Sequence, residues 1–121
     1  MANTFKVVTF AAEPASAGTP YVMYTVASST TAVVLGLVLS NINTTAVTAE
    51  VELVSTTSNR AGANNAANGT SFLIKDVTIP TGSSLEILSG GKVVLEAGDK
   101  IQIDCSVADK LSGTLSIMEI T

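Results

Sequence analysis

The sequence predicts an all-β domain, an antiparallel β-sandwich of jelly-roll or Greek-key type with eight or nine short strands. Three observations predict it. β-branched residues and period-two alternation of apolar and polar side chains recur along the chain, without a sustained stretch of helical periodicity. Clusters of Gly, Pro, Asn, Asp and Ser punctuate those runs at short intervals. The 121 residues are enough for one ordinary core and too few for two, so residues 1–121 are read as a single sandwich domain.

Taken in order, strands are expected at residues 4–11, 21–27, 31–42, 46–56, 71–79, 84–88, 92–96, 100–107 and 113–120. The fourth shows its buried face directly, because Glu50 and Glu52 alternate with Val51 and Leu53. The eighth does the same: Ile101, Ile103, Cys105 and Val107 share one parity, while Gln102, Asp104 and Ser106 share the other. Both read as half-buried antiparallel strands.

Two strands depart from this alternation. Across AVVLGLVL, residues 32–39, the parity of Val33, Leu35, Leu37 and Leu39 is apolar, but so is that of Val34 and Val38 on either side of Gly36. In the last strand Leu115 and Ile117 alternate inward, after which Met118 and Ile120 fall on the opposite parity around Glu119. For residues 32–39 either a loop or another subunit covers the second apolar face; for the last strand a β-bulge or an intersubunit contact accounts for the pattern. Val34, Val38, Met118 and Ile120 are therefore the candidate subunit-interface residues.

The remaining segments read as connections. TGSSLEILSGGKVVLEAGDK places glycine-containing turns at Pro80-Thr81-Gly82, Ser89-Gly90-Gly91 and Ala97-Gly98-Asp99, between apolar strand words. AAEPASAGTP, residues 11–20, reads as a flexible or extended connector, or as an arm lying over a neighbour. SNRAGANNAANGT, residues 58–70, is long for a hairpin connection and is either a tolerated surface excursion or a binding loop.

Composition excludes several functions. Charged residues make up only 13% of the chain, against about 25% in a typical domain, while 46% are hydrophobic. A surface so poor in charge suits a homo-oligomer or assembly component. The net charge is −4 and the six basic residues are scattered singly, so no nucleic-acid or anionic-lipid surface is expected. The longest apolar run, eight residues, is too short to cross a bilayer as a helix, which takes about 20. MANTFKVVTF lacks the basic segment, long apolar run and cleavage site of a secretory signal, so no secretion is expected; the sequons at Asn43 and Asn68 then carry no glycosylation argument.

Catalytic and ligand chemistry find little support. Without histidine there is no Ser-His or Cys-His pair and no zinc site of the usual kind. The lone Cys105 has no intrachain disulfide partner and reads as a small buried hydrophobe. Gly91-Lys92 fails as a phosphate loop, since Glu86 stands where the earlier glycine belongs and Val93 follows the lysine. Glu86, Glu96, Asp99 and Asp104 are spread singly over strands and turns, unlike the clustered acids of a calcium loop. The chain lacks Trp and holds five aromatic residues, Phe5, Phe10, Phe72, Tyr21 and Tyr24, most read at inward-looking parities, a poor complement for a sugar platform. No catalytic residue, metal or cofactor is expected, and the protein is read as not an enzyme.

The order of the strand words adds a resemblance. VVLGLVLSN, then TAEVELV, then FLIKDVTIPTGSSLEILSGGKVVLEAGDKIQI and finally GTLSIMEIT resembles small β-sandwich structural proteins in the virions of tailed bacteriophages, over about residues 33–121. The resemblance implies a non-enzymatic subunit, localised to the virion after assembly in the host cytoplasm. Its foremost implied role is capsid decoration or cement, as a homo-oligomer packed on the major capsid protein; tail, neck or baseplate placement is the alternative. It supplies no binding residues. A receptor- or glycan-binding module using residues 58–70 is the competing reading of another class, and a small hydrolase a more remote one.

Overall fold

The computed structural model describes residues 2–55, 69–88 and 92–121. Nine strands lie among them: β1 Asn3–Glu13, β2 Tyr21–Thr25, β3 Thr31–Asn41, β4 Val47–Val54, β5 Thr70–Ile79, β6 Ser84–Glu86, β7 Val93–Leu95, β8 Lys100–Cys105 and β9 Leu111–Ile120. One sheet has the order β1-β9-β3-β6, with β7 also paired to β3; the other has the order β2-β8-β4-β5. All pairings are antiparallel. This is the strand order of a jelly roll, in which the chain winds repeatedly from one sheet to the other.

The sheets close on a core that follows from the alternation. Val34, Leu37 and Leu39 of β3 and Leu115 and Ile117 of β9 are fully buried, as are Val51 of β4 and Ile101 and Ile103 of β8. Cys105 is a buried free thiol in the same cluster. Phe10 lies edge-on to Tyr21, ring centroids 5.3 Å apart, and joins the first two strands across the sandwich.

Turn chemistry matches the glycine clusters where they are described. Gly82 (φ 70°) and Gly98 (φ 88°) take the left-handed conformation, which costs glycine little. Ser83 N–H donates to the Pro80 carbonyl at 3.2 Å and Asp99 N–H to the Glu96 carbonyl at 3.0 Å. The expected Ser89-Gly90-Gly91 turn lies outside the described residues. So does most of the 58–70 excursion, whose base is closed by Ser55 N–H donating to the Gly69 carbonyl at 2.8 Å.

Two expectations are corrected. Residues 11–20 are not a loose connector: β1 runs on to Glu13, Pro14 is buried behind a cis peptide bond, and Ser16 bridges Thr19. Gly18 N–H then donates to Asp104 Oδ1 at 3.1 Å, and Asp109 N–H to the Pro14 carbonyl at 2.8 Å. The small residues and prolines serve a tight turn pinned to the domain itself.

The second correction concerns β3. Opposite β9, Val34 pairs with Ile117 and Gly36 with Ser116, so Leu35 is the extra residue of a β-bulge. A bulge exchanges parities along a strand. Ala32 and Val34 point inward before it and Leu37 and Leu39 after it, while Leu35 is turned outward.

Candidate assembly surface

The two outer faces of the sandwich differ in chemistry, and strand register shows how. Residues directly opposite one another in a ladder share a face. Phe5 pairs with Met118, Met118 with Val33, and Val33 with Val94. The four side chains thus form one apolar row across β1, β9, β3 and β7.

Their parity is outward, because the alternate residues Val34, Leu95 and Ile117 are buried. Phe5 is 72% exposed and Val94 62%. Val7, also largely exposed, flanks the row opposite Ser116, and Ile120 flanks it opposite Asn3 and Thr31. Leu35 at the bulge and Val38 extend the face along β3. Thr9, Thr114 and Ser116 complete it with uncharged polar groups. Glu86, opposite Val38, is the charged side chain at these paired outward positions among the described residues.

The opposite sheet is charged. Gln102 donates to Glu52 at 2.6 Å, and Lys75 pairs with Glu50 at 3.2 Å. The Glu50 carboxylate beside Lys75 raises the ammonium pKa above its ordinary value. Lys75 also lies over the Phe72 ring, 4.6 Å from its centroid. Of the aromatic residues, read mostly as inward-looking, Phe5 and Phe72 prove exposed. At one end of this sheet Glu50, Asp76 and Asp104 line a shallow cleft of about 350 Å³ with Gly18, Cys105 and Ser106. Asp104 is occupied structurally, since its Oδ1 accepts from Gly18 N–H and, at 2.8 Å, from Cys105 N–H. Among the described residues no group of three or more His, Cys, Asp or Glu is placed to hold a metal ion.

A polar lock fixes the end of the apolar face. Glu119 sits between Met118 and Ile120 but points inward, its side chain 13% exposed. Oε1 pairs with Lys6 Nζ of β1 at 2.7 Å, and Oε2 accepts from Tyr24 Oη of the other sheet at 2.5 Å. The Lys6 and Tyr24 contacts lower the Glu119 pKa from the usual glutamate value. Burial, reinforced by the hydrogen bond to Glu119 and its charge, pushes the Tyr24 phenol well above its ordinary value. Strand alternation turns Glu119 inward and Met118 and Ile120 outward, and the two contacts hold the carboxylate in place.

The four residues read from sequence as interface candidates therefore separate. Val38, Met118 and Ile120 lie on the outer face and are partly exposed. Val34 is fully buried in the domain's own core and presents no surface to a partner, because the Leu35 bulge reverses the parity assumed for it. The alternation of β9 is uninterrupted, so no bulge re-aims Met118 and Ile120. Phe5, Val7, Val33 and Val94 are additional members that the sequence reading passed over. The available signal was apolar character on both parities of FKVVTF and KVVLE.

No family model matches the chain, and no curated protein matches it. A solved structure described in the words "Bacillus endospore appendages form a novel family of disulfide-linked pili" is similar at 18% identity. That alignment covers 99% of this chain and 87% of the other, with a TM-score of 0.48.

Proposed function

We propose that the protein is a non-enzymatic structural subunit of a tailed-bacteriophage virion, a head decoration or cement protein that works as a homo-oligomer packed on major capsid subunits. Its place is the assembled particle, formed in the host cytoplasm. The observation that carries this reading is the apolar row Phe5-Met118-Val33-Val94 on an outer face that carries Glu86 as its charge at the paired positions described. The phage-like order of strand words supports the particular setting.

Energetics favour covering that face. Phe5 alone leaves roughly 140 Å² in water if a whole phenylalanine presents about 200 Å², and burying it is worth about 3.5 kcal/mol at 25 cal/mol per Å². Part of such a gain is spent on lost translational freedom and side-chain ordering, which is why a single exposed ring does not make a stable contact and a row across four strands does. The charged sheet on the far side remains suited to solvent.

The test is particle association. Wild-type subunit should co-purify stoichiometrically with virions, and Met118→Ser with Val94→Ser should release it while leaving the isolated domain folded. A folded double variant that stays bound as tightly as wild type defeats the proposal. A copy number comparable to that of the major capsid protein supports head decoration, whereas a few copies per particle favour a tail, neck or baseplate position.

A further inference from the structure

We infer that the open edge of β1 is a self-pairing edge, joining two copies of this chain through an antiparallel β1-to-β1 ladder about a two-fold axis. This deepens the proposed assembly role and rests on it only in that both require self-association.

The backbone register carries the inference. Ala2 and Thr121 exchange both hydrogen bonds, at 3.1 and 3.0 Å, so they form a hydrogen-bonded pair of the β1-β9 ladder. Such pairs recur at every second residue of an antiparallel ladder. With Asn3 opposite Ile120 and Val7 opposite Ser116, the groups of Thr4, Lys6 and Val8 point at β9. Those of Asn3, Phe5 and Val7 point the other way. Among the described residues β1 pairs only with β9, so a row of outward N–H and C=O groups is left without a strand partner. Residues 3–7 are exposed on both faces as well, leaving room for another strand to approach.

The other edges are blunted: β6 and β7 run for three residues each, and β2 for five with a register slip between Val22 and Tyr24. Along β5 the pairing with β4 slips twice, and Asp76 adopts a positive φ of 52° beside Lys75. Bulges and charges of this kind protect an edge against pairing. The first ten residues of the chain carry Lys6 as their one charge.

With the other edges short, slipped or charged, a second β1 is the occupant that fits, and side-chain chemistry sets its register. A two-fold axis at Lys6 would oppose like charges, which is unfavourable. Centred on Phe5, the ladder spans the exposed segment, places Phe5 against Phe5 of the second copy, and sets Lys6 opposite Thr4. Asn3, Phe5 and Val7 then exchange hydrogen bonds with Val7, Phe5 and Asn3 of the other chain. The apolar outer faces of the two copies come to lie on the same side and run together as one surface.

The experiment uses the intact protein across a concentration series. In the associated state, backbone amide protons of Asn3, Phe5 and Val7 should gain at least tenfold protection from hydrogen exchange over the dilute monomer, by NMR. Val7→Pro removes one outward N–H without touching the β9 ladder, a position where edge strands accept proline, and should weaken self-association at least tenfold. Val7→Thr keeps the N–H and should weaken it less. Unchanged exchange at Asn3, Phe5 and Val7 in an associated wild-type protein overturns the inference, as does a chain that remains monomeric at millimolar concentration. Face packing alone would leave the folded Val7→Pro variant associating normally, with association lost in Met118→Ser; the reverse pattern would retain the edge and discard the face.

Discussion

Replacing Gly113 with alanine tests the packing that sets β1 against β9. Gly113 lies opposite Phe10 and is buried under its ring. A Cβ built there would stand 2.2 Å from Phe10 Cε2 and 2.5 Å from Cζ, where carbon atoms in contact need about 3.5–4.0 Å. The ring must therefore retreat by more than 1 Å, roughly, to restore that contact distance. Behind it stands Tyr21 in the edge-to-face contact, worth about 0.5–1.5 kcal/mol.

Overpacking of this kind costs about 1–3 kcal/mol. Loss of the aromatic contact adds to it, and relief of glycine's backbone entropy returns about 0.5–1 kcal/mol. The expected net loss is about 0.5–4 kcal/mol, centred on about 2. In urea, with a slope of about 1–3 kcal/mol per molar, the midpoint should fall by about 1 M with little change in slope. Adding Phe10→Leu to Gly113→Ala should recover part of the loss, giving a coupling of about 1 kcal/mol or more in a double-mutant cycle. An alanine variant as stable as wild type, or strictly additive energies, would refute the assignment of the ring to the glycine's face.

Other outcomes follow from the same geometry. Asn41, 4% exposed, donates through Nδ2 to the carbonyls of Ile79 and Thr45 and accepts from Asn43 N–H; Asn41→Leu should cost about 2–4 kcal/mol in chemical denaturation, since buried partners left unpaired lose about 1–3 kcal/mol each. Because the Glu119 pKa is lowered in the fold, its contribution is complete above the ordinary glutamate range near pH 4.3 and is lost as pH falls through the depressed value; Glu119→Gln should flatten that acid limb of the stability profile. Tyr24 has the opposite sign: with its pKa raised, stability should decline above about pH 10, where the unfolded phenol ionises, and Tyr24→Phe should remove that decline. Val34→Ser should destabilise the isolated domain by about 2–5 kcal/mol, whereas Met118→Ser should change its thermal midpoint little and act on association.

The strands were legible because each has a local cause. Alternation in Glu50-Val51-Glu52-Leu53 and in Ile101-Gln102-Ile103 marks a half-buried ribbon whatever its neighbours are, and Gly82 and Gly98 mark reversals through their own φ angles. Strand order was not legible, since the pairing of β1 with β9 joins residues at opposite ends of the chain and no local signal encodes it. The candidate surface was half legible for a related reason. Met118 and Ile120 sit on an unbroken strand, so parity placed them correctly, but one inserted residue at Leu35 reversed the reading of Val34. Phe5 and Val7 were hidden because FKVVTF is apolar on both parities, and only the register of β1 against β9 shows which half stays in water. The 11–20 segment misled because proline, glycine and alanine are as compatible with a pinned turn as with a loose arm; the contact to Asp104 that decides it spans 86 residues.

Burial of the apolar face on self-association can be read residue by residue by hydroxyl-radical footprinting and mass spectrometry of the dilute and the associated protein. Phe5, Met118 and Val94 should be strongly protected on association, with Phe72 on the charged sheet labelled equally in both states. Equal labelling of Phe5 and Met118 in the two states, or protection confined to Phe72 and its neighbours, would contradict burial of that face.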